Sequence, residues 1–88
     1  MISKVYAMYD VKANFYHPPI VLANDEVLKR AIISQYKDSD NQVSQFPEDF
    51  KIYCIGDYDD NSGVIKPLSP IRHVTTVAEL IVMVDIKE

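Results

Sequence analysis

The chain has 88 residues, with nine lysines and arginines against thirteen aspartates and glutamates, and a net charge of −4 at neutral pH. This length fits one domain over residues 1–88, and it limits the core, because small domains bury only about 60% of the surface that their unfolded chains expose. The acidic balance excludes a protein whose whole surface coats a polyanion, so any nucleic-acid contact needs a local basic patch.

The first predicted element is a strand over residues 3–12, whose side chains alternate between two faces from Lys4 onward. Both faces carry sizeable apolar groups until Asp10, so we expect this strand to be central in its sheet. Pro18 and Pro19 then interrupt regular structure, because each removes a backbone donor. We predict a loop that holds three consecutive rings, followed by a short edge strand at residues 20–22.

A helix is predicted over residues 25–37, since Asn24 is a good N-cap and Asp25 and Glu26 favour the positive end of the helix dipole. Glu26 and Arg30 have the spacing of a favourable surface ion pair. The core-facing stripe has helical spacing and consists of Leu28, Ala31, Ile32, Gln35 and Tyr36. The other side of the helix consists of Lys29, Arg30, Ile33 and Lys37.

The middle of the chain predicts a short helix, a strand and a hairpin. Pro47-Glu48-Asp49 is typical of a first helical turn, where proline and acidic residues are favoured. Residues 51–57 predict a strand, with Ile52 and Cys54 on one face. The acidic turn that ends at Gly63 predicts a hairpin loop. Residues 64–68 then predict an antiparallel edge strand, because Pro67 cannot donate a ladder hydrogen bond.

The C-terminal region is ambiguous between a helix and a strand. Thr76-Val77-Ala78-Glu79 fits a capping box, whereas the β-branched residues within residues 81–86 fit a strand. We favour a short helix through about Val82. The whole pattern predicts the α+β class, with a small three- to four-stranded, mostly antiparallel sheet that is packed by one main helix and followed by a short C-terminal helix.

Cysteine content and hydropathy predict a soluble, cytosolic protein. The single Cys54 excludes an intramolecular disulfide, and we expect it to be a buried strand residue rather than a reactive thiol. No run approaches the roughly 20 apolar residues of a membrane span, and no signal peptide is recognisable. Because the core is small, we also expect the chain to pair as a homodimer.

No group of residues forms a recognised catalytic or metal-binding pattern. The acidic turn from Asp57 fails the calcium-loop pattern, which requires glycine where Ser62 stands and a bidentate acid where Leu68 stands. His17 and His73 have no nucleophile or acid at catalytic spacing. The two glycines of the chain are too few for a phosphate-binding loop. We therefore expect no enzyme activity, no metal site and no cofactor.

The aromatic loop and the helix offer the two features that bind single-stranded nucleic acid. These features are cations that track phosphates and flat rings on which bases stack. The candidate nucleic-acid-binding residues are Lys12, Phe15, Tyr16, His17, Lys29, Arg30 and Lys37. A competing interpretation is a protein-interaction module that binds another protein, with Phe15 and Tyr16 as interface anchors and the acidic turns for charge complementarity.

Three segments of the chain resemble one known family. They are Tyr9-Asp10-Val11-Lys12-Ala13, Pro18-Pro19 and Pro47-Glu48-Asp49-Phe50-Lys51-Ile52-Tyr53-Cys54-Ile55-Gly56-Asp57-Tyr58-Asp59-Asp60. In this order they resemble the small nonstructural protein of gokushoviruses, which are single-stranded DNA microviruses of bacteria. The resemblance identifies no binding residue.

The resemblance implies a non-enzymatic DNA-binding protein in the cytoplasm of the bacterial host. Its role would be in viral genome replication, when synthesis shifts from duplex intermediates to packaged single strands. Neutralising phosphates supplies most non-specific affinity for DNA. A chain with a net negative charge must therefore gather its cations on one surface in order to bind DNA. A dimer that joins two aromatic loops and two basic helix strips would provide such a basic groove.

Overall fold

The computed structural model describes residues 1–37 and 46–81, with side chains of the main helix described through Ser34. The elements in chain order are β1 (Ile2–Asp10), β2 (Phe15–Tyr16), β3 (Ile20–Leu22), α1 (Asp25–Lys37), a 3₁₀ helix (Pro47–Asp49), β4 (Phe50–Asp59) and β5 (Val64–Thr76), followed by a helical segment at residues 77–81. The strands form one curled antiparallel sheet in the order β2-β1-β4-β5, and β3 pairs with the same edge of β1 as β2. The predicted α+β class, with one main helix and a short C-terminal helix, is confirmed.

The aromatic segment differs from the prediction, because it forms a hairpin with β1 rather than a loop. Tyr16 pairs with Tyr9, and Phe15 pairs with Asp10. The buried carboxylate of Asp10 shapes the turn by accepting hydrogen bonds from the backbone N–H groups of Lys12 and Ala13, at 3.0 and 3.1 Å. The Asp10 side chain thus stabilises a turn that many other hairpins form with a glycine. The predicted edge strand at residues 20–22 is confirmed as β3.

The core lies between α1, the C-terminal helical segment and one face of the sheet, which we call the helix-side face. The buried residues of this core are Tyr6, Leu28, Ile32, Phe50, Ile52, Cys54, Val77 and Leu80. The helix stripe is shifted from the predicted one, because Ala31 is exposed whereas Ile33 packs partly against the core. Isoleucine has more apolar surface to remove from water than alanine, which favours this rotation. Gln35 and Tyr36 lie beyond the last described side chain of α1.

The hairpin between β4 and β5 is confirmed, and β5 is longer than predicted. Gly63 has a φ of +75°, and its N–H donates to the carbonyl of Asp59 at 2.8 Å, which closes the turn. The register of β5 against β4 jumps from Gly56–Pro67 to Cys54–Arg72, so a bulge lies between two well-paired stretches. Residues 38–45 and 82–88, which include most of the C-terminal stretch that also fits a strand, lie outside the described residues.

A polar network ties the start of α1 to the sheet. The side chain of Asn24 accepts a hydrogen bond from the N–H of Val27 at 3.0 Å, which confirms the predicted N-cap. The Asp25 carboxylate accepts bonds from the Tyr6 hydroxyl at 2.5 Å and from both terminal nitrogens of Arg72 at 3.0 and 3.2 Å. Glu26 faces Lys29 at 3.8 Å rather than the predicted Arg30. Within the described residues, no helix is long and apolar enough to cross a membrane.

We expect the variant Asp25→Asn to lower the free energy of unfolding by about 1–2 kcal/mol at pH 7, because it removes a charged acceptor from two donors. The Arg72 guanidinium holds the pKa of the Asp25 carboxyl below its usual value. A carboxyl with a lowered pKa stabilises the fold above the pKa of the unfolded chain, about 3.9, and loses that effect as pH falls through the folded pKa. Urea unfolding from pH 7 to pH 3 should therefore show the difference between the two proteins shrink as the pH falls below about 4.

The matched control is Glu26→Gln, which changes the same charge in the same helical turn at an exposed side chain. Both substitutions remove a favourable contact with the helix dipole. Glu26→Gln should therefore lower the free energy of unfolding by a few tenths of a kcal/mol, and any larger loss in Asp25→Asn reports the bonds that only Asp25 makes. Equal destabilisation by the two variants would show that the bond to Arg72 contributes nothing.

Candidate functional site

The face of the sheet opposite α1, which we call the open face, carries a row of rings. Strand pairing joins Tyr9 to Tyr16, and Tyr53 to His73, so each pair lies on one face. Ring centroids are 4.6 Å apart for Tyr9–Tyr16, 6.1 Å for Tyr16–Tyr53 and 5.5 Å for Tyr53–His73. This aromatic ladder (Tyr9, Tyr16, Tyr53 and His73) crosses all four strands of the path β2-β1-β4-β5.

The ladder follows from the two-residue period of the strands. In β4, Phe50, Ile52 and Cys54 enter the core, so Tyr53 between them must point to the opposite face. Tyr16 and His73 are exposed, whereas the other two rings are half-buried.

Two polar contacts hold rings of the ladder in place. The hydroxyl of Tyr9 donates to the side-chain oxygen of Asn14, and Nε2 of His73 lies at hydrogen-bond distance, 3.3 Å, from Oγ1 of Thr76. Rings that are held in one orientation lose little conformational freedom when they bind a flat ligand.

Two lysines lie near the Tyr9 end of the ladder, and one of them is on the open face. Lys51 pairs with Tyr9 across β1 and β4, which places it on the open face. Lys12 is exposed in the turn between β1 and β2, where it lines a recess with Asp10, Asp49 and Phe50. Neither lysine forms an ion pair with any residue in the described ranges, so both ammonium groups are available to an anionic ligand.

The carboxylates within the strands lie on the helix-side face, where they serve the fold. Asp10 shapes the first turn, and Asp57 pairs with Lys4 at 2.9 Å. Asp59 accepts a hydrogen bond from the N–H of Asn61 at 2.9 Å, and this bond lowers the pKa of the Asp59 carboxyl. The net negative charge of the chain is therefore compatible with an open face that attracts anions.

The structure distributes the predicted binding residues over different faces. Tyr16 belongs to the ladder, whereas Phe15 turns to the other side of β2, where its ring lies 4.8 Å from that of His17. His17 in turn lies 6.3 Å from the core ring of Phe50.

The predicted basic strip and the aromatic ladder lie in different layers of the molecule. Lys29 and Arg30 are on α1, on the far side of the sheet from the ladder. The side chain of Lys37 lies outside the described part of the helix. The structure therefore gathers Tyr16 with rings that the sequence prediction did not include, and it does not bring Tyr16 together with the helix strip.

The missed residues of the open face are Tyr9, Lys51, Tyr53 and His73. The alternation in β4 already separates Tyr53 from Ile52 and Cys54, and an aromatic side chain on the non-core face of a central strand was the available signal. The meeting of the four rings depends on strand register, which the sequence pattern alone does not provide.

An apolar recess of about 660 Å³ adjoins the ladder at Tyr16. Its other walls include Pro18, Ile55 and Ile71. Within the described ranges, no group of three or more His, Cys, Asp and Glu residues is placed to hold a metal ion. What the open face offers chemically is ring stacking, apolar contact and neutralisation of negative charge.

Comparison with known proteins gives one family match. Residues 3–80 match the family described as phage ORF5 protein, a range that includes β2 to β5, α1 and nearly all of β1. No curated protein and no solved structure matches the chain.

Proposed function

Since the chain belongs to the phage ORF5 protein family and is a bacteriophage protein, we propose that it binds single-stranded DNA through the open face of its sheet, without enzymatic activity. The aromatic ladder is the observation that carries this proposal. Stacking of a base on an aromatic side chain contributes about 1–3 kcal/mol and tolerates any base. Rings that cross four strands offer such contacts to several successive bases.

The charges of the open face support the same ligand. Lys51 lies on the open face, where it can meet the phosphates of a strand that stacks on the rings, and the strand carboxylates are on the opposite face. Bases in a duplex are stacked on one another and are not available to these rings, so the proposal favours single strands over duplex DNA.

The proposed role is in phage genome replication in the cytoplasm of the bacterial host. The resemblance to the gokushovirus nonstructural protein supports binding to single strands as synthesis shifts from duplex intermediates to strands for packaging. A homodimer would double the number of rings and lysines that meet one strand, which strengthens binding through effective concentration.

A second candidate is a module that binds a host or viral protein. The apolar recess favours it, because Ile71 and Tyr16 in its walls are more than a third exposed and apolar anchors of this kind dominate many protein interfaces. Failure to bind single-stranded DNA, duplex DNA and RNA at low salt would favour this candidate over the first.

We expect Lys51→Gln to weaken binding of single-stranded DNA and to reduce its salt dependence. Each phosphate contact to a single strand contributes about 0.7 to the slope of log K against log salt concentration, so the slope should fall by about 0.7. Fluorescence anisotropy of a labelled oligonucleotide across a salt series measures both quantities.

The matched control is Lys66→Gln on β5. Lys66 lies opposite Asp57 in the strand pairing of β4 and β5, so it is on the helix-side face. Its substitution changes the net charge by the same amount as Lys51→Gln. The salt slope of this variant should stay close to that of the original protein. If the salt slope falls by the same amount in both variants, net charge governs binding rather than a phosphate contact on the open face.

A further inference from the structure

We infer that the apolar recess beside the aromatic ladder receives the C5 methyl group of a thymine base, so that the protein prefers single strands rich in thymine. The inference rests on the proposed function, because the base is one that stacks on the open face. The recess and the ladder share the ring of Tyr16. A base that stacks on Tyr16 therefore lies at the edge of the recess.

The recess opens on the same face of the sheet as the ladder. Its most buried wall residue is Ala7, which pairs with the ladder residue Tyr53 across β1 and β4. Ile71 forms the wall on β5, two residues before His73 of the ladder, so the two-residue period of the strand puts both on one face. The recess is thus an extension of the stacking surface rather than a separate site.

The recess differs chemically from the ladder, because its walls offer carbon rather than hydrogen-bonding groups. Among the described side chains that line it, only those of Tyr16 and His17 carry polar atoms. The His17 ring packs near Phe15 and the core residue Phe50, and its Nε2 atom is buried. What the recess presents to a ligand is therefore apolar surface.

A recess of this kind discriminates among bases by the edge that it can cover. Placing a polar edge of a base against apolar walls removes hydrogen bonds to water without replacing them. Of the four DNA bases, only thymine has an apolar substituent on its edge, the C5 methyl group, and proteins recognise it by apolar contact. Ring stacking accepts any base, so the recess adds a preference that the ladder alone does not have.

The preference separates DNA from RNA through the base rather than through the sugar. Transcripts carry uracil, which lacks the methyl group, in place of thymine. Burial of one methyl group strengthens binding by about fourfold. In a cell that holds both kinds of strand, thymine-rich parts of the genome should therefore hold the protein at the expense of transcripts.

The test compares oligonucleotides of deoxythymidine and of deoxyuridine, about ten nucleotides long, which have the same sugar and differ only by the methyl group. Anisotropy titrations at one low salt concentration should give a dissociation constant about fourfold lower for the thymine strand.

Three variants locate the contact. Ile71→Thr keeps a β-branched side chain in β5 but places a hydroxyl in the recess wall, and it should reduce the thymine advantage to less than about twofold. Val64→Thr is the matched control, because Val64 is an exposed β-branched residue of the same strand that lies opposite Asp59, on the helix-side face. It should keep the advantage of about fourfold, as should Tyr16→Phe, which removes only the hydroxyl of that ring.

The outcomes separate the inference from the function on which it rests. Equal dissociation constants for the two oligonucleotides would overturn the thymine preference and leave DNA binding intact. A thymine advantage that persists in Ile71→Thr would place the methyl group outside the recess, and an advantage lost in Tyr16→Phe would assign the discrimination to a hydrogen bond. Either result would also overturn the inference. Binding of neither oligonucleotide would overturn the proposed function itself.

Discussion

Replacing Tyr16 and Tyr53 together by alanine is expected to weaken binding of single-stranded DNA by about 100-fold. The two ring centroids are 6.1 Å apart on the open face, so each ring can stack on a different base. A loss of about 1.4 kcal/mol per base, within the measured range for stacking, corresponds to about tenfold for each ring. Anisotropy titration with a labelled oligonucleotide at constant salt measures the change.

The control for this prediction is Phe15→Ala. Phe15 adjoins Tyr16 in β2 and is 47% exposed against 48%, yet strand pairing puts it on the opposite face of β2, at the edge of the recess that adjoins Tyr16. Its substitution removes a similar ring from a similar exposure, and we expect binding to change by less than about threefold. If Phe15→Ala weakens binding as much as Tyr16→Ala, the aromatic hairpin rather than the open face is the site. Circular dichroism of each variant establishes that the sheet is retained.

Leu80→Ala is expected to lower the free energy of unfolding by about 3 kcal/mol. Leu80 is 1% exposed and packs in the core from the helical segment at residues 77–81. Truncation of a buried leucine costs about 2–5 kcal/mol, because it removes apolar contacts and leaves a cavity. A small domain has only about 5–15 kcal/mol of stability, so the loss should be plain in urea unfolding.

The neighbouring Glu79 supplies the comparison for Leu80. It is exposed, and Glu79→Ala should change the free energy of unfolding by less than about 0.5 kcal/mol. A similar small effect for Leu80→Ala would contradict the packing of the C-terminal helical segment against the sheet. The pair of variants thus tests whether Leu80 is part of the core at this end of the chain.

The elements that sequence predicted best are those specified by local signals. The bounds of α1 agree with the prediction, because Asn24 caps the helix and Leu28 and Ile32 mark its buried side. The hairpin at Gly63 has a comparable local signal in its left-handed glycine. The hairpin of β1 and β2 was missed because its turn relies on the Asp10 carboxylate and on a left-handed Asn14 instead of a glycine.

The candidate site was only partly predictable, because its members come from four strands. Tyr16 was identified from its ring, but the residues that join it depend on which strands pair and in which register. A register shift between Val5 and Tyr6, opposite Ile55, and the bulge in β5 change which side chains share a face. The hydrophobic pattern within a single strand does not reveal such shifts.

The one-sided character of the aromatic ladder has a consequence for how a nucleic acid is loaded. A strand that lies on an exposed sheet face can arrive and leave sideways at any point along its length, whereas a strand in a closed channel must be threaded from an end. On the proposed function, the protein needs no free terminus for entry. A polymerase or a packaging machine that advances along the strand can lift it from the rings one base at a time.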